Sequence, residues 1–377
     1  MLNYRVQQTK QPKPAGFLGL TYEPGGGARL TEGKTDYGFA LRPVGKLRAV
    51  MLFAKFPDTT REETTQELYQ RLAPEGIAYM ARASYGKVKL TIDPVHRWVP
   101  MEHPSTEESY NQRTFEGHRG YIQEIAQKVA SSVDFHKYDI VYIVGSYAPG
   151  CPISPTFGAS PEDAPKINGA LIRHAVTFGN DARRPNWGWQ TLAHETGHIF
   201  GLPDLYSFDK PTGRYKDGLR HVGAWDLMSY QAVGQEYFAW HKRKLEWLSD
   251  DDFWIATQGE STVTVAPIYA KRGIRAIVAP ISASEACVVE VRNREANPQG
   301  ECGVLVYRVD LKRPAGRGPI EVLPAAPDSG DKELERTHIT LYHALYHTGT
   351  VINDASANLR IEITGREGKG FTFRVSR

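Results

Sequence analysis

The chain has 377 residues, of which 41% are hydrophobic and 24% are charged, and its 46 basic and 43 acidic residues give a net charge of +3. This composition is that of a globular protein with one or two domains, and the balanced charge without a basic stripe argues against nucleic acid as a partner. No apolar run approaches the ~18 residues of a membrane span, so no membrane partner is expected.

The first part of the chain alternates predicted strands and helices. Residues 1–45 are rich in Gly and Pro, and we expect an arm or short hairpin with a turn at residues 25–27. Alternating strands and helices favour a mixed sheet with helices packed against it. Strands are predicted at Leu47–Phe56, Lys87–Ile92 and Tyr138–Gly145, and helices at Arg61–Ala83, broken by Pro74 and Gly76, and at 117–132.

The segment before the central motif contains a long loop and a strand. Residues 148–169 include five prolines, and a loop of this length is uncommon unless it is functional or mobile. Leu171–Phe178 then alternates in hydrophobicity as a strand does. The predicted order is therefore a strand, a long loop and a second strand, and the central motif follows directly after them.

The motif His194-Glu-Thr-Gly-His198 predicts a zinc site on a helix. Residues four apart lie one turn above each other, so both imidazoles can bind one zinc ion. Glu195 is placed to act as the general base towards a water in the open position. Gly201 can end the helix, because glycine takes a left-handed backbone cheaply, and Asp204 can then supply a third ligand. The alternative is an amphipathic helix with two exposed histidines and a capping glycine.

A second stretch, Gly223–Tyr230, follows at the distance where long-motif zincins place a methionine turn. Met228 is expected to form an apolar floor under the metal without taking part in the chemistry. Tyr230 follows two residues later, and its role is either catalytic or structural. In the catalytic role it coordinates the resting metal or donates a hydrogen bond to the oxyanion. In the structural role it is packed in the cleft wall.

These motifs resemble those of the immune inhibitor A family of metallopeptidases, which are related to the metzincins. Glu246 stands where that family usually has a glycine, which concerns the local turn geometry. The resemblance implies a zincin-like catalytic domain with a mixed sheet and an active-site helix, and a secreted zinc endopeptidase, often with structural calcium. Besides 194–204, it covers residues 49–58, 83–90, 240–247 and 303–310, in the family's order.

The resemblance also gives a role to the strand before the motif. In zincins a strand at the place of Leu171–Phe178 forms the upper edge of the cleft, where a peptide can add as an extra strand. A plain edge strand is the alternative. His174 on this strand is expected to be structural rather than a substrate contact. His221 and His241 are alternative third ligands, but they lack the spacing of Asp204.

The loop after Asp204 contains Tyr206, Asp209 and Asp217. Its carboxylates are candidates for a structural calcium ion, but no ligand spacing is recognisable, and solvated loop charges are favoured. Of the three cysteines, Cys287 and Cys302 flank a predicted hairpin, and free buried thiols are favoured over a disulfide.

From about residue 250 the pattern changes to short strands separated by Gly, Pro, Asn and Asp, with a helical period only around 332–346. This predicts an antiparallel β-sandwich over 251–377, after a catalytic domain over 1–250 that includes the arm of residues 1–45. The fold class is thus α+β. The predicted strands are Val263–Val265, Ile274–Val278, Val288–Arg292, Val304–Val309, Leu359–Ile363 and Phe371–Val375.

The sequence therefore predicts a zinc endopeptidase that acts on proteins or peptides as a monomer. Two other functions stay open: a binding module that keeps the zinc fold without the activity, and a zinc hydrolase of a non-peptide amide or ester. The start of the chain lacks the apolar segment of a signal peptide, so secretion is expected from the resemblance alone.

Overall fold

The computed structural model describes residues 15–23, 30–209, 218–232, 236–293, 302–325, 341 and 343–377. The chain divides into two compact units, one of residues 36–201 and the other of residues 1–35 and 202–377. The turn expected at 25–27, most of the helical period expected around 332–346, and Asp217 lie outside the described residues, and residues 343–346 of that period are not helical. Both units contain sheets, and the described part of the chain is a mixed α+β structure.

The unit of residues 36–201 contains the predicted mixed sheet. Its order is β2-β1-β3-β7-β4, in which the first four strands run parallel and β4 is antiparallel to β7. A separate two-stranded hairpin is formed by β5 and β6. The strands are β1 (Gly45–Lys55), β2 (Val88–Pro100), β3 (Ile140–Gly145), β4 (Thr156–Gly158), β5 (Lys166–Ile167), β6 (Ala170–Leu171) and β7 (His174–Phe178).

The helices of this unit are α1 (Thr65–Ala83), α2 (Phe115–Val129) and α3 (Gly188–Ile199). The predicted break in α1 is wrong, because the helix continues through Pro74 and Gly76. Gly76 serves close packing instead: a Cβ atom there would lie 2.9 Å from the side chain of Leu192 on α3. The missing side chain thus lets α1 approach the helix that carries the motif.

The edge of the sheet differs from the sequence-based prediction. Residues 148–169 were expected to form one loop, yet they contain β4 and β5. As a result, β7 is not an edge strand, because β3 and β4 flank it on its two sides. The short strand β4 takes the edge position in its place.

The second unit contains the predicted sandwich. Two sheets, β13-β12-β11-β10-β8 and β14-β15-β16-β9, share one hydrophobic core. The sandwich is not purely antiparallel, because β8 pairs parallel to β10. Its strands are β8 (Phe253–Ile255), β9 (Glu260–Val265), β10 (Ala276–Pro280), β11 (Glu285–Asn293), β12 (Cys302–Asp310), β13 (Ile320–Val322), β14 (Val351–Asp354), β15 (Leu359–Glu367) and β16 (Gly370–Ser376).

Residues 1–35, which were expected to belong to the catalytic domain, group with this β-rich unit, and so does the segment that follows residue 201. The chain therefore divides at 35/36 and 201/202 and not near 250. Its helix α4 (Ala239–Lys244) is tied to β11, because the backbone N–H of Ala239 donates to Glu290 at 2.8 Å. Just past α4, Glu246 has a left-handed φ of +58°, the conformation for which glycine is best suited. All three cysteines are free and buried, as expected.

Candidate metal centre

Helix α3 carries the three central residues of the motif and ends just after them. It ends at Ile199, and two residues later Gly201 has φ +96° and donates its N–H to the carbonyl of His198 at 3.0 Å. A left-handed glycine with this bond is a common way to end a helix. The predicted role of Gly201 is therefore confirmed.

The motif side chains converge on one point. One ligand atom from each of His194, Glu195 and His198 lies within 4.8 Å of the others. The two imidazole rings have centroids 4.8 Å apart and are nearly perpendicular, at 89°. His194 is 2% exposed and Glu195 is 6% exposed, so the imidazole and the carboxylate lie where little water reaches them and electrostatic interactions are strong.

This donor set fits zinc by its chemistry. Imidazole nitrogens one helical turn apart are frequent zinc ligands, and a carboxylate beside them is a residue type that can act as a general base. Within the described residues, this is the one group of three or more His, Cys, Asp or Glu side chains close enough to hold a metal ion. The exposed-helix alternative does not apply to His194, which is buried.

Hydroxyl groups attach α3 to the sheet. The Tyr142 hydroxyl on β3 lies 2.8 Å from Oγ1 of Thr196, which in turn donates to the carbonyl of Leu192 at 2.6 Å. At the end of the helix, the N–H of Leu41 donates to the carbonyl of Ile199 at 2.9 Å. Burial raises the pKa of Tyr142, so its hydroxyl stays protonated and can donate.

Thr156, which the sequence reasoning did not single out, contacts the predicted general base. Its Oγ1 lies 2.8 Å from Oε2 of Glu195 and 2.8 Å from the carbonyl oxygen of the same residue. The two residues are 39 positions apart and meet only because β4 pairs with β7 at the sheet edge. No local pattern in the sequence indicates this contact.

Asp204, Met228 and Tyr230 belong to the β-rich unit. Within it, the N–H of Leu205, next to Asp204, donates to the carbonyl of Met228 at 2.9 Å, so these two segments are neighbours. Met228 is fully buried, as a core methionine or an apolar floor requires, and Asp204 and Tyr230 are partly buried. The roles of Asp204 as third ligand and of Tyr230 in catalysis stay predictions.

Buried charged side chains hold the predicted methionine turn in place, and the sequence did not predict them. Asp226 accepts hydrogen bonds from the backbone N–H of Met228 at 2.8 Å and of Phe238 at 2.7 Å. Arg292 donates to the carbonyl of Trp225 at 2.8 Å. The aspartate two residues before the methionine was the available signal, because a buried turn needs acceptors for its N–H groups.

His241 completes this network and is not available to a metal ion. Its Nδ1 lies 2.9 Å from Asp226 and its Nε2 lies 3.1 Å from Glu32, and all three side chains are fully buried. Burial alone lowers the pKa of His241, but the two carboxylates outweigh it and raise this pKa to about 10. A protonated imidazole has no lone pair for zinc.

The other histidines considered from the sequence have separate surroundings. Nδ1 of His221 lies 3.2 Å from Oε1 of Glu321. His174 on β7 is 8% exposed, and burial, with a smaller contribution from Arg173, lowers its pKa to about 4. A neutral, buried histidine within the sheet is consistent with the structural role that was favoured.

Asp209 does not present a free carboxylate to calcium. One of its oxygens contacts the guanidinium of Arg220 and the other contacts that of Arg317. Calcium needs several oxygen ligands without competing cations, so this ion pair supports the interpretation as an ordinary charged loop.

No model of a known protein family matches the chain, and a search of curated proteins returns no significant match. Among the described residues, no helix has both the length and the apolar character that a membrane span requires.

Proposed function

We propose that the protein is a zinc-dependent endopeptidase of the metzincin type, similar to the immune inhibitor A family. The convergence of His194, Glu195 and His198 on one buried point carries this proposal. The parallel sheet with an antiparallel edge strand and a motif helix packed on it supports the same class, because zincin sites are built on such a helix.

The roles of the residues follow from their chemistry. His194 and His198 hold the zinc ion, and Asp204, which follows the Gly201 bend in the sequence, is the predicted third ligand. Zinc bound there polarises the scissile carbonyl and makes a water molecule more acidic. Glu195 accepts the proton of the attacking water and then donates it to the leaving amine. Tyr230 is the predicted donor of a hydrogen bond to the oxyanion.

The substrates we propose are proteins or peptides, cleaved by a monomer outside the cell. Substrate class and secretion rest on the resemblance of 194–204 and 223–230 to the family's motifs. Structural calcium also rests on the resemblance alone, and Asp209 gives it no support.

Digestion of casein by purified, zinc-loaded protein tests the proposal. We expect cleavage that a chelator stops and that added zinc restores, with Glu195→Ala as the inactive control that retains the metal. Intact casein together with hydrolysis of a small ester or amide would contradict the endopeptidase function in favour of a non-peptide hydrolase. Zinc binding without hydrolysis of any substrate would instead favour a binding module.

A further inference from the structure

The two carboxylate oxygens of Glu195 have different neighbours. Oε2 lies 2.8 Å from the Thr156 hydroxyl, whereas Oε1 lies 3.9 Å from Nε2 of His194. The hydroxyl carries a single hydrogen, and an ionised carboxylate is a stronger acceptor than the backbone carbonyl that lies at the same distance. In the ionised state of Glu195, the hydrogen bond therefore goes to Oε2.

This asymmetry suits a general base. Such a group must present one oxygen to the proton within hydrogen-bond reach, and freedom to rotate away reduces the rate. A bond to Oε2 restricts rotation of the terminal carboxylate. Holding one oxygen in this way fixes the direction of the other, which is the oxygen nearer to His194.

Strand β4 gives the Thr156 hydroxyl a rigid support. Thr156 pairs with Val176 of β7, and the N–H of Thr177 donates to the carbonyl of Pro155 at 3.1 Å. The next residue, Phe157, is 2% exposed and stacks on Phe115 with ring centroids 5.3 Å apart. A strand packed in this way positions a side chain more precisely than a mobile loop does.

We propose that Thr156 is a positioning residue for the reaction: its hydroxyl anchors Oε2 of Glu195 so that Oε1 exchanges the proton. This inference rests on the proposed function and adds a residue outside the motif to it. Removing the hydroxyl lowers kcat and leaves KM nearly unchanged, because the change acts through Glu195 and not on the bound substrate.

The kinetic test compares zinc-loaded Thr156→Val, Thr156→Ser and the control Thr91→Val. Thr91 is a strand threonine on β2 whose hydroxyl donates to the carbonyl of Leu47. We expect kcat to fall on the order of tenfold to a hundredfold in Thr156→Val, the worth of one hydrogen bond to a charged group. Serine restores most of the activity, and the control keeps it. Wild-type kcat in the valine variant, or a serine variant as slow as it, would overturn the proposal.

Crystal structures of the metal-free wild type and Thr156→Val give a readout that does not depend on activity. We expect the wild type to keep Oε1 of Glu195 near His194 and the valine variant to show this carboxylate rotated or split between orientations. An unmoved carboxylate would overturn the role of Thr156. If the wild type hydrolyses no peptide, the proposed function fails by itself, and the two crystal structures still decide what positions Glu195.

Discussion

Helix α3 and the predicted methionine turn are held in place by different chemistry. The helix is attached through uncharged hydroxyl groups, those of Tyr142 and Thr196 among them. The turn at Gly223–Tyr230 is held by ions with almost no access to solvent: Asp226 accepts from its backbone and pairs with His241, which also faces Glu32.

The difference follows from what each segment does with its own backbone. A helix pairs its N–H and C=O groups internally and needs only a few external contacts to fix its position. A buried turn without regular structure must find other partners, and here side-chain charges supply them. Buried charges are costly once a partner is lost, so we expect the turn to be more sensitive to single substitutions than the seating of the helix.

The largest effect is expected at the helix, on activity. Glu195→Ala removes the group proposed to accept the proton, so we expect kcat to fall by about 10²–10⁴-fold while zinc binding is retained. Casein hydrolysis and zinc content measured on the same preparation check this. A variant that loses zinc along with activity would mean that Glu195 helps to hold the metal, contrary to its assignment as base.

The largest effect on stability is expected at the turn. His241→Gln leaves the buried carboxylates of Asp226 and Glu32 without the imidazolium, and we expect a loss of about 3–5 kcal/mol in the free energy of unfolding, measured by chemical denaturation. His347→Gln, at an exposed position of the same unit, is the control, with an expected change within about 0.5 kcal/mol. Equal losses of stability in His241→Gln and His347→Gln would show that the buried ions do not hold the turn in place.

The same residue predicts a pH dependence. The carboxylates raise the pKa of His241 from the ordinary 6.5 to about 10. A raised folded-state pKa contributes stability that is complete below pH 6.5 and is lost as the pH rises towards 10. The difference in unfolding free energy between wild type and His241→Gln should therefore shrink with rising pH over this range. A constant difference would show that His241 is not protonated in the folded protein.

Tyr230→Phe tests whether the methionine-turn segment takes part in the chemistry. Loss of one oxyanion donor lowers kcat by about 10²–10³-fold, and we expect zinc to be retained. Tyr346→Phe is the control, because it removes a hydroxyl that bonds the carbonyl of Pro324 in the same unit. Unchanged turnover in Tyr230→Phe would leave this tyrosine as a packed side chain of the cleft wall.

The smallest effect is expected where a neutral hydroxyl is removed beside the helix. Tyr142→Phe leaves Thr196 with its bond to the carbonyl of Leu192, so no buried donor loses its partner. We expect the free energy of unfolding to fall by about 0.5–1.5 kcal/mol, measured by the same denaturation. A loss of stability as large as that of His241→Gln would show that the position of α3 depends on the Tyr142 hydroxyl far more than one neutral hydrogen bond suggests.

Local patterns predicted most of the fold. Hydrophobic periodicity located β1, β3 and α2, and a glycine with a left-handed backbone ends α3 as the motif indicated. Gly76 was misjudged, because its role lies in the approach of Leu192 from another helix. Strand β4 was missed, because three residues inside a proline-rich loop carry no periodic signal.

The candidate site divides in the same way. His194, Glu195 and His198 follow from spacing on one helix, and the structure brings them together. Thr156 and the pairing of Asp226 with His241 and Glu32 depend on residues that are distant in the chain and adjacent only in the fold. Composition and spacing do not predict such contacts, because the sequence around Thr156 or His241 does not distinguish it from any other threonine or histidine.

Calorimetric titration of the metal-free protein with zinc tests the central claim most directly. The wild type should bind one zinc ion per chain, and His194→Ala and His198→Ala should each lose that binding while they stay folded by circular dichroism. A folded wild type that takes up no zinc, or a His194→Ala variant that binds it as tightly, would contradict the account.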